Sequence, residues 1–220
     1  MKEFQRARSA EQKDIRMNEI TDAAIKLLRN TPFDRITLAA VAQELSFTRA
    51  NLYKYVSTKE EIFLHIVQRD VAAWVADLET TFEGSGALSI EAFAQQWAAC
   101  LSRHRRLVEM LSVLYSVIEK NVTAEKLAEF KAGFFDIIAQ ISDILRRVLP
   151  FLSEAQIQSF LQMQMYYATG LFPSTVQTDV QKEAMALIGA AYDVADFEYE
   201  LTAFAVFALE GLQNHKEYLR

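Results

Sequence analysis

Apolar residues recur every three or four positions along most of the chain, which is the period of an amphipathic α-helix. The first such stripe consists of Ile20, Ala23, Ala24, Leu27 and Leu28. The alternation typical of a half-buried strand is absent, and the 220 residues include only 6 Gly and 3 Pro. Because Gly and Pro punctuate turn-rich β-folds, the pattern predicts an all-α protein.

Periodicity and helix-capping residues together predict ten helices. They cover residues 10–29, 38–45, 49–56, 59–81, 89–103, 107–119, 123–149, 153–171, 181–192 and 196–213. Thr37, Thr48 and Ser153 each stand where a hydroxyl can cap the following helix. Residues 57–61 (Ser-Thr-Lys-Glu-Glu) contain two overlapping capping-box spacings, so they give the strongest predicted helix start in the chain.

We expect two domains: a three-helix N-terminal domain at residues 1–58 and a larger helical domain at residues 59–220. Residues 1–60 carry 11 Lys and Arg against 8 Asp and Glu, whereas residues 61–220 carry 12 against 21. The net charge of the whole chain, −6, argues against a nucleic-acid partner when it is taken alone. Phosphate contacts are local, however, so a mildly basic N-terminal domain is compatible with DNA binding.

The cysteine content and the lack of targeting signals indicate the cellular compartment in which we expect the protein. The single cysteine, Cys100, cannot form an internal disulfide, which is typical of a reducing environment. The first residues lack the apolar stretch of a signal peptide, and no apolar run approaches the roughly 18 residues that span a bilayer. We therefore expect a cytoplasmic protein. No cofactor and no enzymatic activity are predicted, because no phosphate loop or nucleophile motif is found.

The two short helices at residues 38–45 and 49–56 carry the clearest functional signal. The second of them is too polar and aromatic for a core helix, and it suits the major groove of DNA as the second helix of a helix-turn-helix. Arg49 is expected to bind guanine and Asn51 to bind adenine or a phosphate, while Leu52 packs inward. The predicted DNA-binding set is Thr37, Thr48, Arg49, Ala50, Asn51, Tyr53, Lys54, Tyr55 and Lys59. A helical scaffold for protein partners, the main rival class, would not need this polar face.

The same stretch resembles the tetracycline-repressor (TetR) family of bacterial regulators over about residues 10–70. Residues 52–56 (Leu-Tyr-Lys-Tyr-Val) correspond to the family's Leu-Tyr-x-Tyr/His-Phe core, and residues 59–62 (Lys-Glu-Glu-Ile) correspond to its Lys-Glu-Glu-Leu helix start. One position departs from the pattern, because the family usually has Gly in the turn where this chain has Ser46. A left-handed conformation would cost Ser about 1 kcal/mol more than Gly.

The resemblance implies a homodimeric repressor that binds a palindromic operator in double-stranded DNA and is released by a small-molecule effector. Residues 155–171 and 196–213 would form a four-helix bundle with the partner's copies, the alternative being that their apolar surfaces pack within one chain. The two DNA-binding domains must lie about 34–36 Å apart to meet successive major grooves. An effector could change that spacing by tilting the helix at residues 59–81.

Aromatic, Met and amide side chains are frequent in the C-terminal domain, and such residues suit an apolar effector pocket. Packing in the core is the simpler explanation for any single one of them. The residues predicted to line the pocket are Trp97, His104, Tyr115, Phe134, Met163, Tyr166 and Tyr167.

Two features near residue 100 leave alternatives open. Cys100 and His104 are four positions apart and could face the same way, which allows a redox or metal sensor. Two ligands are too few for a closed zinc site, so no metal site is predicted. Arg103, Arg105 and Arg106 indicate either a solvated loop or a counter-charge for an acidic effector.

Overall fold

The structure is a computed structural model that describes residues 2–191 and 193–214, with side chains from residue 12 onward. Its α-helices are α1 (Lys2–Leu28), α2 (Leu38–Gln43), α3 (Arg49–Leu52), α4 (Lys59–Thr81), α5 (Ile90–Ser102), α6 (Arg105–Val113), α7 (Ala124–Val148), α8 (Glu154–Leu171), α9 (Asp179–Leu187) and α10 (Phe197–Asn214). Short 3-10 turns cover Phe33–Arg35, Glu119–Asn121 and Phe172–Thr175, and a π-helical turn covers Leu114–Ile118. The described residues contain no strand, so the predicted all-α class is confirmed.

Several helix boundaries differ from the prediction. Helix α2 ends at Gln43 instead of residue 45, and α6 covers Arg105–Val113 instead of residues 107–119, because a π-helical turn follows it. Helix α1 begins eight residues earlier than expected, at Lys2. Helix α3 ends at Leu52. The amides of Lys54 and Tyr55 bond three residues back, to Asn51 O at 3.1 Å and Leu52 O at 2.9 Å, so the helical pattern does not continue. Helix α9 stops at Leu187, and Gly189 follows it in the left-handed region with φ of 64°. The predicted end of that helix, Tyr192, lies outside the described residues.

The turn between α2 and α3 lacks the strain that was expected at Ser46. No non-glycine residue has a positive φ anywhere in the described part of the chain, so Ser46 does not adopt the left-handed conformation. The expectation of a cost at this position was therefore wrong. Ser is compatible with this turn because the backbone stays in the region that L-residues prefer.

The chain divides into two compact units. The first comprises residues up to Arg69 together with Tyr115–Lys131, and the second comprises Asp70–Leu114 together with residues from Ala132 onward. The division groups the first turns of α4 with α1 to α3, whereas the domain boundary between residues 58 and 59 stays a prediction.

A continuous apolar core holds the first unit together. Helix α2 packs against both α1 and α3. The apolar side chains of this unit with at most 2% exposure are Ile20, Ala24, Ile36, Val41, Leu52, Val56, Ile62, Phe63, Ile66, Val67 and Ile118. Burying a residue such as Leu52 contributes about 1.5–3 kcal/mol, so α1 and α4 act as the support on which the two short helices are built.

The start of α4 uses the predicted capping residues in an offset arrangement. The Thr58 hydroxyl accepts from the Glu61 amide at 3.3 Å, as in a capping box. The Glu61 carboxylate, however, accepts from the amide of Ser57 at 3.2 Å instead of that of Thr58. Two otherwise unpaired amides are satisfied in this way at the point where α4 begins.

The second unit is built on the contacts of α10 with α5 and α8. Aromatic rings form its centre: Phe93 lies 5.5 Å from Phe82, 5.5 Å from Trp97 and 5.8 Å from Phe160, measured between ring centroids. The Ser153 capping box at the start of α8 is confirmed, with both reciprocal bonds to Gln156 present. No helix in the described ranges is long and apolar enough to cross a membrane.

His65 on α4 supplies a pH-dependent term in the first unit. Burial is the main cause that lowers the pKa of this imidazole below its ordinary value of 6.5, and Lys126 acts in the same direction. The carboxylates of Glu129, Glu61 and Asp14 oppose this shift. The folded state therefore favours neutral His65, whereas the unfolded state takes up a proton at the ordinary pKa.

We expect the His65→Asn variant to lose less stability in acid than the wild type does. The wild-type contribution is present above pH 6.5 and falls as the pH drops through that value, until the folded form is protonated as well. The measurement is the free energy of unfolding in urea at about pH 7.5 and about pH 5.5. An identical loss in both proteins would contradict the assignment, since the other histidines are common to both.

Candidate nucleic-acid interface

Helices α2 and α3 have one buried side and one exposed side. Val41, Leu52 and Val56 point inward with exposures of 0%, 0% and 2%. The Thr37 hydroxyl accepts from the Ala40 amide at 3.1 Å, and the Thr48 hydroxyl accepts from the Asn51 amide at 3.4 Å, so both predicted N-caps are confirmed. The arrangement is two short capped helices that are fixed from below by apolar contacts.

Most of the predicted DNA-binding side chains lie on the exposed side. The exposed ones are Thr37, Thr48, Arg49, Ala50, Tyr53 and Lys54, and the half-buried ones are Asn51, Tyr55 and Lys59. None of the nine belongs to the buried core. This distribution is what a helix needs if its outer side is to enter a groove while its inner side supports it.

Arg49 of α3 contacts Tyr53, the residue that follows the helix, on the exposed surface. The Arg49 guanidinium donates to the Tyr53 hydroxyl at 3.0 Å, and its Cζ lies 5.5 Å from the centroid of the same ring. Both contacts place the Arg49 guanidinium beside the Tyr53 ring on the exposed surface. A guanidinium oriented in this way can present two N–H groups to a planar acceptor pair.

Lys59 has a structural role that the sequence did not reveal. Its ammonium donates to the carbonyl oxygens of Phe33 at 3.2 Å and Asp34 at 3.0 Å, and it lies 4.9 Å from the Phe33 ring centroid. Lys59 thus ties the first turn of α4 to the 3-10 turn at Phe33–Arg35. Its predicted phosphate contact stays a prediction.

The residues predicted for an effector pocket are divided between the two units. Tyr115 belongs to the first unit, where the Lys131 ammonium lies 5.7 Å from its ring centroid, and the other six belong to the second unit. Trp97 is buried in the aromatic centre, and Tyr167 stacks on Phe204 with 3.9 Å between centroids. Tyr166 is exposed and its hydroxyl accepts from Gln162 at 2.9 Å. Phe134 and Met163 are half-buried.

A groove of about 550 Å³ in the second unit is lined by a different set of residues. They are Glu79, Thr80, Glu83, Gln140, Asp143, Ile144 and Arg147. This lining is mainly polar and acidic, and none of the seven predicted pocket residues contributes to it. The predicted effector pocket stays a prediction.

The second unit also contains buried polar side-chain groups that have no hydrogen-bond partner. Gln164 on α8 is 3% exposed, and neither atom of its amide has a hydrogen-bond partner. The indole nitrogens of Trp74 and Trp97 are also unpaired, and the two rings meet edge to face at 5.3 Å between centroids. Trp97 contacts Phe160, which precedes Gln164 by one turn of α8. An unpaired buried polar group costs about 1–3 kcal/mol, so these groups are a place where a ligand could bind favourably.

The structure brings a third side chain, Asp77 of α4, to Cys100 and His104. Asp77 Oδ2 lies 3.0 Å from His104 Nε2, and Arg103 donates to both carboxylate oxygens at 3.0 and 3.1 Å. The bonds from Arg103 are the main cause that lowers the pKa of Asp77. Burial, followed by the Asp77 charge, raises the pKa of the Cys100 thiol to about 12. Sequence reasoning missed Asp77, because it lies 23 residues before Cys100 on another helix.

The remaining arginines of this region are placed differently. Arg106 donates two hydrogen bonds to the carboxylate of the buried Asp70, at 2.6 and 2.7 Å, so it is neither a solvated loop residue nor a free counter-charge. Arg105 is exposed, and its guanidinium carbon lies 5.7 Å from the Phe172 ring centroid.

The short capped helix pair, with its inward apolar and outward polar side chains, defines a helix-turn-helix DNA-binding protein. Comparison with protein families agrees: the model described as "Bacterial regulatory proteins, tetR family" matches residues 20–66. The model described as "Tetracyclin repressor-like, C-terminal domain" matches residues 68–216. The chain belongs to the tetracycline-repressor family and is a transcriptional regulator, which confirms the resemblance seen in the sequence. Regulators of this family are generally not enzymes.

Two individual proteins are similar to parts or all of the chain. An uncharacterized HTH-type transcriptional regulator of Bacillus subtilis, YfiR, is 32% identical over 73 residues, which is 33% of this chain and 36% of that protein. The alignment thus spans about a third of that relative. The solved structure of the fatty acid degradation regulator FadR from Bacillus halodurans aligns with a TM-score of 0.52, covering 93% of this chain and 97% of that one. Its sequence is 13% identical, so this likeness concerns the fold.

Two buried glutamines on α8 allow a matched test of the unpaired amide. We expect Gln164→Met to raise the free energy of unfolding by about 1–3 kcal/mol, because it removes an unpaired polar group at nearly constant volume. The same substitution at Gln156 should lower it by a similar amount. The Gln156 amide donates to Leu212 O and accepts from the Ser153 amide at 2.8 Å. Chemical unfolding of both variants is the measurement, and a destabilised Gln164→Met protein would show that its amide is satisfied.

Proposed function

We propose that this chain represses transcription as a homodimer that binds a palindromic operator and is released by a small-molecule effector. The observation that carries the proposal is the orientation of α3: its inward Leu52 is fully buried, while Arg49 and Lys54 are exposed beside a preformed contact to Tyr53. A surface of this kind offers one side chain suited to base edges and another suited to phosphate.

The proposed dimer surface consists of the unpartnered sides of α8 and α10. On α10, Phe207 is 74% exposed and lies opposite the buried Leu209 and Leu212 side. Gly211 lies one turn beyond Phe207, and a Cβ atom added there would meet nothing within 4 Å. On α8, Tyr166 is 57% exposed. Exposed aromatic side chains next to small residues favour close helix packing with a second copy, as in a bundle.

The effector site that we propose lies around Gln164 and Trp97. A ligand there would meet aromatic rings and one amide that can donate or accept a hydrogen bond, which suits a largely apolar molecule with a single polar group. Binding would shift the population between dimer states that differ in operator affinity, so no chemical step is required. A compound that releases the operator from the wild type should release it less effectively from Gln164→Met.

The proposal is tested by selecting bound duplexes from a random pool with the full-length protein. We expect a palindrome whose half-sites are separated by about one helical turn, or a multiple of it. On that duplex, Arg49→Ala should weaken binding about 5- to 150-fold and relax one base position, because a bidentate contact to a base is worth about 1–3 kcal/mol. Lys54→Ala should weaken binding to every DNA sequence by the same factor. It should also reduce the slope of log affinity against log salt concentration by about 1, as removal of a phosphate-binding cation does.

Lys182→Ala is the matched control for these charge deletions, since it removes an exposed cation from α9 whose ion-pair partner is Asp179. Gel shifts at about 50 and 200 mM salt give the comparison. If Arg49→Ala and Lys182→Ala each reduced DNA affinity by the same factor on every sequence, base recognition by Arg49 would be excluded. Failure of the wild type to bind any duplex at low salt would refute the proposed function as a whole.

A second prediction concerns the dimer. We expect Phe207→Asp to convert the protein to a monomer and to weaken the dimer more than about 100-fold. Because a homodimer is twofold symmetric, the substitution removes the aromatic ring from both copies at once. A central aromatic side chain of an interface contributes several kcal/mol to the free energy of binding. Light scattering after size-exclusion chromatography measures the change. Leu187→Asp, which alters a side chain that is 81% exposed on α9, should leave the dimer intact. Equal behaviour of the two variants would show that α10 does not form the interface.

A further inference from the structure

Three side chains of different chemistry converge within the second unit. Asp77 comes from α4, Cys100 from α5, and His104 from the junction between α5 and α6. One oxygen of Asp77, the sulfur of Cys100 and a ring nitrogen of His104 all lie within 4.8 Å of one another. Cys100 is fully buried, whereas the other two are half-buried, so the group is reachable from one side.

We propose that Asp77, Cys100 and His104 bind a divalent metal ion of borderline softness, of which Zn²⁺ is the type, and that a water molecule completes its coordination. A mixed oxygen, nitrogen and sulfur donor set is the one that such ions accept, whereas Mg²⁺ and Ca²⁺ prefer oxygen alone. The inference does not depend on the proposed repressor function, because it concerns the second unit by itself.

The distances are compatible with a tetrahedral site after small side-chain movements. Bonds of about 2.0–2.2 Å to nitrogen and oxygen and about 2.3 Å to sulfur place neighbouring ligand atoms about 3.3–3.7 Å apart. The contact between Asp77 Oδ2 and His104 Nε2, at 3.0 Å, is already close to that spacing. The 4.8 Å limit of the group exceeds it by about 1 Å. Rotation of side chains on three separate chain positions can close a gap of this size without moving a helix.

Arg103 holds the carboxylate of Asp77 in place for this role. Its Nη2 donates to Oδ1 at 3.0 Å, which leaves Oδ2 directed at His104. The 3.1 Å bond from Arg103 Nε to Oδ2 would be exchanged for the metal bond. A hydrogen bond to the oxygen that does not bind the metal is the usual way in which proteins orient a carboxylate ligand.

Binding involves proton transfer to solvent and no change of oxidation state. The S–H bond of Cys100 breaks, its electron pair forms the bond to the metal, and the proton leaves to water. The neutral imidazole of His104 donates its Nε2 lone pair and keeps its single proton on Nδ1. With one thiolate and one carboxylate, the charges of the ligands balance a divalent ion.

The test uses the full-length protein, reduced and stripped of metal with a chelator, and titrated with Co²⁺. We expect one Co²⁺ per chain and a near-ultraviolet absorption band from thiolate-to-cobalt charge transfer, which Zn²⁺ then removes by displacement. Cys100 is the single cysteine, so the band reports on this residue alone. Trp74 and Trp97, the two tryptophans, precede Asp77 and Cys100 by three residues each, so their fluorescence should change at the same stoichiometry.

Four variants separate the site from other sources of binding. Cys100→Ala should abolish the band, and Asp77→Asn and His104→Gln should each weaken binding at least about 10-fold. His65→Gln, which removes a histidine of the first unit, should bind as the wild type does. Zn²⁺ should raise the midpoint of thermal unfolding of the wild type and leave that of Cys100→Ala unchanged, which also shows that the variant folds.

The proposal is overturned if the wild type shows neither the cobalt band nor a zinc-dependent rise in the unfolding midpoint at tenfold metal excess. Cys100 is then a small core side chain beside an Arg103–Asp77–His104 hydrogen-bond network. Binding that persists unchanged in both Cys100→Ala and His104→Gln would overturn it as well, because the metal would then be held by other residues.

Discussion

The contact between a four-residue helix and the core beneath it is the constraint on which the DNA-binding function depends. A helix as short as α3 has too few internal hydrogen bonds to be stable alone, since nucleation is unfavourable and only elongation compensates for it. Its stability comes from Leu52 and Val56, which are buried, and from the Thr48 cap. Every exposed side chain on α3 is therefore oriented by an apolar contact on the opposite side. Polar function at the surface and apolar packing below are two properties of one short segment.

Helix α4 extends the same logic over 23 residues. Its first turn is tied to earlier parts of the chain by Lys59 and by the Ser57–Glu61 bond. Farther along, it contributes Asp70 and Asp77 to the second unit, and each of these carboxylates is paired with an arginine. Helix α4 runs without a break from Lys59 to Thr81, so residues of both units lie on one helix.

The fold was largely predictable because apolar periodicity and helix-capping residues, which are local features of the sequence, determine most of its helices. Helix-period stripes and capping residues gave α4 its bounds without error and placed α5, α7, α8 and α10 within one or two residues. The outer side of α3 was equally visible, since a run with Arg49, Tyr53 and Lys54 cannot be core. The failures have local physical causes too. Helix α3 is shorter than its pattern because the turn after Leu52 bonds three residues back, and Gly189 ends α9 earlier than the periodicity indicated.

Contacts between distant parts of the chain were beyond such reasoning. The interaction of Lys59 with the carbonyl groups of Phe33 and Asp34 requires knowing how α4 leaves the preceding turn. The approach of Asp77 to Cys100 requires knowing how α4 pairs with α5, since the two residues are 23 positions apart in the sequence. Spacing within one helix suggested Cys100 and His104 as neighbours, although α5 ends at Ser102 and His104 lies beyond it. The proximity therefore holds for a reason other than the helical repeat: the chain turns at Arg103 and directs the imidazole to α4.

Two buried glutamines in the second unit differ in how well their amides are hydrogen-bonded. Gln156 and Gln164 lie on the same helix with similar burial, and yet one amide has partners at both atoms while the other has none. A sequence selected for stability alone would place an apolar residue at the unpaired position, because an amide without a partner loses its hydrogen bonds to water on burial. Natural proteins break such local rules mainly at functional sites. The unpaired Gln164 amide is therefore a local cost in free energy, and this cost is the observation behind the effector site proposed above.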